Sequence, residues 1–464
     1  MQGPWQLIIA GFLFITFYWK AGVFTVSEYL ERRYNPGCRL FYAIIYIFFF
    51  IVTISSGLYL TALFMESAFG WDFWICVFVL ALVVGVYTCF GGLSAVIMTD
   101  AIQFLIMMLA TLPVYFILTK DLGGFTQAAN QMIETMGTSN AYFNLMPGAD
   151  HPFMGGPWLI VGQCFVAALA WAAGQQAMIQ RNLGARTVYD AKFGNVMAAI
   201  PKTLGAYIYI IPLTIAPLYF ALNGIFLPKP DAAYGTLILN LLPSGMIGLA
   251  FAGLFAAGMS TMDSMLNSTS TLFVRDIYER FFVRDKPDAH YFRVARLVTL
   301  AGLLICVGSV AFIMKVPLIM TMEKTLMAMF EGPLVAVIVL GIFWRRTNGK
   351  GALAGLIIGG IVTLLTLSYT DKFLVIETMG AAASLAVVIL VSMLTEAPRS
   401  DQVEGLTWGV GHESKIGEKI SERAVQAQPL PPVSRKVPIY RDMRVWATIF
   451  LLIQIVLLLY YAGV

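Results

Sequence analysis

Hydroxyl, amide and carboxylate side chains interrupt an otherwise apolar run at residues 255–273, FAAGMSTMDSMLNSTSTLF. Their spacing predicts one polar face of a helix, formed by Ser260, Asp263, Ser264, Asn267, Ser268 and Thr271. Hydroxyl and carboxylate oxygens are hard ligands, which suit a hard cation such as Na⁺ better than a soft transition metal. A packing seam of hydroxyls bonded to the preceding helical turn explains the Ser and Thr residues as well, but it leaves Asp263 unexplained.

Asp100 is a second acid within an apolar run, and it lies about two helical turns after the Gly91-Gly92 pair, which predicts a tight turn. A carboxylate at membrane depth costs about 2.5–3.5 kcal/mol, so both acids are expected to face protein or water instead of lipid. Asp100 and the polar helix could share one cation. The alternative is a carboxylate that neighbouring hydroxyls, such as that of Thr99, satisfy.

Two amides and an indole ring lie near the end of another apolar run, ALAWAAGQQAMIQ at residues 168–180. Gly174, Gln175 and Gln176 predict a point where the helix loosens, close to Trp171. Amide hydrogen bonds and an aromatic face suit a polyhydroxyl or amide ligand. The alternative is an interfacial belt at the inner end of the helix.

Three lysines also fall within apolar runs, where a buried ammonium needs a carboxylate, a carbonyl or a ligand oxygen as its partner. Lys20 is close to a predicted interface, which its side chain can reach. Lys202 follows Pro201 at greater depth, and Lys324 lies next to Glu323 within a turn or two of the predicted outer surface. For Lys202 and Lys324 a functional and a structural role both stay open.

Composition indicates a polytopic membrane protein. The 464 residues are 59% hydrophobic and 12% charged, whereas soluble domains average about 25% charged residues. No CxxC pair, nucleotide-binding loop or hydrolase motif is present, so neither an enzyme nor an ATP-driven pump is predicted. Because a spanning helix needs about 20 apolar residues, about twelve spans are predicted, near 4–24, 40–69, 72–90, 93–119, 157–180, 192–223, 244–274, 291–314, 319–344, 351–369, 373–394 and 445–462.

The loops between these spans differ in charge, since most of the 30 basic residues fall in alternate loops. The positive-inside rule predicts that the basic loops are cytoplasmic and that both ends of the chain are extracytoplasmic, in a plasma or inner membrane. The longest outer loop, 120–156, is expected to carry a short amphipathic helix. The basic loops lie near 32–39, 181–192, 275–296, 345–350 and 395–444.

Four segments resemble the sodium:solute symporter family, which includes the sodium/glucose cotransporters. They are YWKAGVFTVSEYLERRYN (18–35), GGLSAVIMTDAIQ (91–103), MSTMDSMLNSTSTLFVRDIY (259–278) and GIFWRRTNGKGALAGLIIG (341–359). The resemblance runs from the first residue to the last span. It implies an all-α membrane protein with the LeuT-like fold, in which two inverted repeats of about five helices hold solute and Na⁺ near the midplane.

The resemblance also implies a set of sodium ligands: Ala257 through its carbonyl, Ser260, Thr261, Asp100, Asp263 and Ser264. The first three match the family's main sodium site. The last three match, or fall beside, a second sodium site found in some members. Asp263 departs from the sugar-transporting members, which usually have a small residue there, and its extra charge would tighten the second site or bind a proton.

The implied solute-binding residues are Trp171, Gln175, Gln176, Lys202 and Lys324. Trp171 matches the aromatic residue at the inner gate, which is usually Tyr, and Gln176 matches the Gln of a conserved pair. Lys202 matches a lysine near the sugar in glucose cotransporters. Lys324 stands where those cotransporters have a substrate-binding Gln, which argues against glucose itself and favours a sugar acid or another anionic solute.

The resemblance predicts further spans upstream, because glucose-type members have about fourteen and the chain begins inside the helix that follows their first core helix. The missing helices would supply sodium-coordinating carbonyls and solute contacts. Within the chain we predict a transporter core at 1–394, a polar cytoplasmic linker at 395–444 and a final transmembrane helix at 445–464.

We therefore expect Na⁺-coupled symport of a small polar organic solute by alternating access, with the lipid bilayer as surroundings and no organic cofactor or nucleic-acid partner. The solute is expected to be a sugar or sugar derivative, with a polyol or carboxylate as further options. The alternative is a non-transporting sensor of Na⁺ or solute, or an inactive truncated relative that keeps the ion site. A channel is a third interpretation, but no repeated filter motif is found.

Overall fold

The computed structural model describes residues 2–137, 161–162, 166–227, 230–409, 442–443, 445–450 and 452–453, and these residues form helices but no β-strand. Most of the predicted linker at 395–444 and of the final span at 445–464 lies outside the described residues. The α-helices are α1 (Gln2–Ile9), α2 (Ile15–Ala21), α3 (Val26–Arg33), α4 (Pro36–Phe69), α5 (Phe73–Asp121), α6 (Phe125–Met136), α7 (Ala168–Gly174), α8 (Gln176–Leu183), α9 (Val188–Leu222), α10 (Ala233–Leu241), α11 (Ser244–Thr271), α12 (Asp288–Ile313), α13 (Ile319–Phe343), α14 (Gly349–Leu367) and α15 (Phe373–Leu394).

Eight helices in the described part of the chain are long and apolar enough to cross a membrane. They are α4, α5, α9, α11 with its π-helical extension to Phe282, α12, α13, α14 and α15. Each coincides with one or two of the predicted spans. The predicted first span, 4–24, is built from α1, a π-helical turn at Ala10–Phe14 and α2.

Helix α5 corresponds to two predicted spans, 72–90 and 93–119. It runs for 49 residues and is interrupted at Gly92, whose φ of 60° and ψ of −164° are not helical. Only glycine adopts this conformation readily, because it has no Cβ. The predicted tight turn is therefore a bend at one residue, which separates the apolar first half of α5 from the half that carries Asp100.

The amphipathic helix predicted within 120–156 is α6. Its apolar side buries Ala128, Ala129 and Met132. The helix ends at Gly137, which has a left-handed φ of 64°, and this is the usual way for a helix to terminate.

The loosened helix predicted at Gly174 to Gln176 is a complete break. α7 ends at Gly174, Gln175 has extended backbone angles, and α8 begins at Gln176. The break leaves carbonyls of α7 without partners inside the helix. Two tyrosine hydroxyls supply donors instead: Tyr18 bonds to the Ala173 carbonyl at 2.7 Å and Tyr42 to the Gly174 carbonyl at 2.5 Å.

Contacts divide the chain into two compact units. One unit contains Met1–Ile45, Leu145–Thr203 and Lys324–Gly463, and the other contains Tyr46–Asn144 and Leu204–Glu323. All the predicted solute-binding residues belong to the first unit, and all the predicted sodium ligands belong to the second.

Within the second unit, α11 lies close against α5 and α4. A Cβ at Gly253 would collide with Ala110 of α5, and one at Gly258 would lie 2.6 Å from the Thr61 hydroxyl of α4. Small residues permit this approach, as is common between membrane helices. The buried core around α11 includes Ile54, Leu58, Val77, Leu80, Met262, Leu266 and Val310.

Within the first unit, a buried arginine joins α3 to the end of α13. Arg33 is 0% exposed and donates hydrogen bonds to the carbonyls of Gly341 at 3.0 Å, Trp344 at 3.0 Å and Thr347 at 2.8 Å. A cation at a helix C-terminus satisfies the last carbonyls and the helix dipole together. The segments 18–35 and 341–359 thus contact each other through this side chain.

Candidate functional site

The structure brings the acid of α5 and the hydroxyls of α11 together. The Ser260 hydroxyl donates a hydrogen bond to Asp100 Oδ1. The Ser264 hydroxyl donates to the Ser260 carbonyl at 2.6 Å, so it lies one turn further along the same face. Asp100, Ser260 and Ser264 are all half-buried. The group thus offers a carboxylate, two hydroxyls and a carbonyl, all of them hard oxygen donors.

Asp263 extends this group toward the first half of α5. Its carboxyl group is 0% exposed and accepts hydrogen bonds from the Tyr87 hydroxyl at 2.6 Å and the Ser264 hydroxyl at 3.0 Å. Two donors on one buried carboxylate offset much of the cost of burying it. The Ser264 hydroxyl thus contacts both the Asp263 carboxylate and the backbone of Ser260, whose own hydroxyl bonds to Asp100.

The remaining two predicted sodium ligands, Ala257 and Thr261, lie on a cavity wall. The Thr261 hydroxyl donates to the Ala257 carbonyl at 3.1 Å, and the Thr261 side chain is exposed. The cavity has a volume of about 370 Å³. Further hydroxyls of α4 line it, including those of Thr53, Thr61 and Ser67.

Three of the predicted solute-binding residues line a second cavity, which lies within the first unit. Trp171, Lys202 and Lys324 share this space of about 270 Å³. The Lys202 ammonium lies 4.3 Å from the centroid of the Trp171 ring, in cation–π geometry. An indole ring with an ammonium over one face, and a second ammonium lining the same space, can bind a hydroxyl-rich solute by ring contacts and by hydrogen bonds. The residues that line the space are Gln6, Ala167, Trp171, Lys202, Lys324, Met327, Ala328, Glu331, Phe373 and Glu377; below we call it the lysine–glutamate cavity.

The other two predicted solute-binding residues, Gln175 and Gln176, do not line the lysine–glutamate cavity. Gln175 is the residue at which the helix breaks. Gln176 is 0% exposed, and its Oε1 accepts a hydrogen bond from the Val26 backbone N–H at 3.0 Å. In this structure its amide holds the start of α3 in place.

Sequence reasoning missed three residues at these sites: Tyr87, Glu331 and Glu377. No spacing rule links Tyr87 to Asp263, because they are on different helices. The two glutamates carried a usable signal, since each is an acid inside an apolar helix, α13 or α15, and such acids are rare unless they have a function. Glu331 is 7% exposed and Glu377 is 3% exposed.

Comparison with known proteins agrees with the geometry. The family model described as "SSF: Sodium:solute symporter family" matches residues 5–359. The bovine "Sodium/mannose cotransporter SLC5A10" is 30% identical over 88% of this chain and 76% of its own length. The mouse "Sodium/myo-inositol cotransporter 2" is 28% identical over 94% of this chain and 70% of its own length.

Among solved structures, the substrate-bound, outward-open form of a Na⁺-coupled sialic acid symporter superimposes with a TM-score of 0.73. The match is 23% identical and covers 86% of this chain and 83% of the other chain. It confirms the predicted all-α, LeuT-like membrane fold.

These matches are transporters, not enzymes, and they support Na⁺-coupled symport of a small molecule by a multi-pass membrane protein. Na⁺ is the coupling ion, as the polar helix predicted. A model match over most of the chain, a relative at 30% identity and the shared fold lead to one conclusion. The chain belongs to the sodium:solute symporter family.

Proposed function

We propose that the chain imports a sugar or sugar derivative together with Na⁺. The observation that carries this proposal is the lysine–glutamate cavity, where the Trp171 ring lies beside ammonium and carboxylate groups. Rings that stack and charged groups that hydrogen-bond are the usual means of holding a polyhydroxyl molecule. The relatives named for mannose and myo-inositol support the same class of solute.

Na⁺ binds, in this proposal, at the hydrogen-bonded group of Asp100, Ser260, Ser264 and Asp263, with Ala257 and Thr261 as ligands of the main site. An entering ion displaces the Ser260 hydrogen from Asp100 and takes the oxygens of both residues. Coupling requires that Na⁺ and solute each bind one conformational state better than the other. Trp171, Gln175, Gln176, Lys202 and Lys324 are the proposed solute-binding residues, with Gln175 and Gln176 acting through the helix break.

The experiment is uptake of labelled mannose, myo-inositol and their acid derivatives into proteoliposomes that contain the full-length protein. We expect accumulation when Na⁺ is present outside only, and none when K⁺ replaces Na⁺. Trp171→Ala should lower uptake with the protein still folded, because the stacking surface is lost. Equal uptake in Na⁺ and K⁺ would contradict the proposal.

We also propose that the protein lies in the plasma or inner membrane, with the loop 395–444 on the cytoplasmic side. This orientation is supported by the basic residues of alternate loops.

A further inference from the structure

The lysine–glutamate cavity contains as many acidic as basic side chains. Lys202 and Lys324 contribute two ammonium groups, and Glu331 and Glu377 contribute two carboxyl groups. The formal charges of the four groups therefore cancel when all are ionised.

The two glutamates are available to a solute. Glu377 is 3% exposed, and its Oε1 has no hydrogen-bond partner among the described residues. No ion pair within 4.0 Å involves Glu331 or Glu377 in the described part of the chain. A buried carboxylate oxygen requires a donor, and the hydroxyl groups of a bound solute provide one.

Close packing fixes where the two glutamates lie. A Cβ at Gly332 would collide with the Glu377 carbonyl, so α13 and α15 approach each other backbone to backbone beside both acids. Next to this contact the Ser384 hydroxyl of α15 donates to the Pro333 carbonyl of α13 at 3.0 Å. Acids held on two packed helices keep their positions when a solute enters.

We propose that Glu331 and Glu377 set the charge selectivity of this cavity, so that it accepts a neutral polyhydroxyl solute and discriminates against carboxylate-bearing derivatives. The inference rests on the proposed function, because it concerns the solute of that same cavity. Lys324 considered alone favours an anionic solute. The two glutamates offset this preference, because their charges balance those of the two lysines and each repels a carboxylate on the solute.

The test compares uptake of myo-inositol or mannose with that of a matching uronic acid, in proteoliposomes that contain the full-length protein. Glu331→Gln and Glu377→Gln each remove one negative charge with almost no change in shape. We expect each to raise the acid-to-neutral ratio of kcat/KM by roughly tenfold, the effect of one unit charge several ångströms away in a medium of intermediate dielectric. Glu134→Gln, on the exposed side of α6, is the matched control and should leave the ratio unchanged.

Two more variants separate charge selectivity from a purely structural role. Lys324→Gln should shift the ratio in the opposite direction, toward the neutral solute. The double variant E331Q/K324Q restores the charge balance and should return the ratio to that of the wild type. A structural role predicts additive loss of activity in the double variant and no return of the ratio.

Outcomes for the inference and for the proposed function are distinct. An unchanged ratio in glutamate variants that still unfold at the wild-type temperature would overturn the inference while Na⁺-driven uptake of sugar stands. If the wild type shows no Na⁺-driven uptake, the proposed function fails. The inference is then decided by binding of the same two probes to purified protein, measured as ligand-induced shifts in melting temperature: it stands if the glutamate variants change the ratio and falls if they do not.

Discussion

At the scale of single residues, the hydrogen bond between Ser260 and Asp100 lies at the centre of the proposed sodium site. Asp100→Asn keeps the size of the side chain but removes its charge. We expect the Na⁺ concentration for half-maximal uptake to rise about tenfold, since a paired charge in a partly buried site contributes on the order of 1–3 kcal/mol. Na⁺-activation curves at saturating solute measure this change.

The neighbouring Thr99 provides the control for Asp100. Its hydroxyl bonds back to the Ala95 carbonyl at 2.9 Å and the Val96 carbonyl at 3.0 Å, within its own helix. Thr99→Val should therefore leave Na⁺ activation unchanged. If Asp100→Asn gave the same Na⁺-activation curve as the wild type, Asp100 would not be a ligand of the proposed sodium site.

Asp263 depends on a donor from another helix. Tyr87→Phe removes the hydroxyl that bonds to its carboxylate at 2.6 Å, so the protein should lose about 1–3 kcal/mol of stability. Thermal unfolding of purified protein measures the loss. In a protein that already carries Asp263→Asn, Tyr87→Phe should lower the free energy of unfolding by a smaller amount, because the two residues interact directly. Equal costs in both backgrounds would show that the hydroxyl stabilises something other than Asp263.

The sequence indicates most of the hydrogen-bonded group of Asp100, Ser260, Asp263 and Ser264, because three of these residues lie on one helix at regular spacing. Ser260, Asp263 and Ser264 were placed on one face by periodicity alone. Partners on other helices are harder to predict from the sequence. Asp100 is recognisable because it is an acid within an apolar run. Tyr87 is not, because it resembles any other aromatic residue in a membrane helix. Pairing across helices depends on how the helices pack, which spacing along one chain segment does not encode.

At the scale of elements, the end of α13 is held by a residue from α3. Arg33→Lys should destabilise the protein by about 2–4 kcal/mol, because an ammonium cannot reach three carbonyls in the way the guanidinium does. Arg32→Lys is the control, since the Arg32 side chain is 35% exposed, pairs with Glu28 of the same helix and, among the described residues, bonds to one backbone carbonyl only, that of Ala21. Thermal unfolding of the two variants should separate them clearly. Equal melting temperatures would contradict the proposed role of Arg33.

Glycines in the sequence predicted the breaks between helices better than the contacts that are made at those breaks. The bend at Gly92 and the interruption at Gln175 were both expected from local sequence. That Gln176 bonds to Val26 of α3 was not, because the two residues are 150 positions apart. Gln176 matches a family motif, yet in the fold its side chain bonds to the backbone of another helix and does not line the cavity.

At the scale of the whole molecule, the charge asymmetry of the loops predicts topology. In a version without native cysteines, Lys286→Cys should react with a membrane-impermeant maleimide only after the membrane is permeabilised. Asp371→Cys should react in intact cells. Both positions are exposed in the structure, so access to the reagent depends on the side of the membrane alone. The reverse pattern would invert the proposed orientation.

The broken helix at Gln175 has a consequence for how this family diversifies. In lipid a backbone carbonyl without a donor costs several kcal/mol, and here Tyr18 and Tyr42 supply the donors for α7. The helix break and the hydroxyls of Tyr18 and Tyr42 are therefore expected to be retained or lost together in evolution, although they lie more than a hundred positions apart. Related sequences that keep the interruption should keep a hydroxyl at both positions, and lineages that restore a continuous helix should be free to lose both.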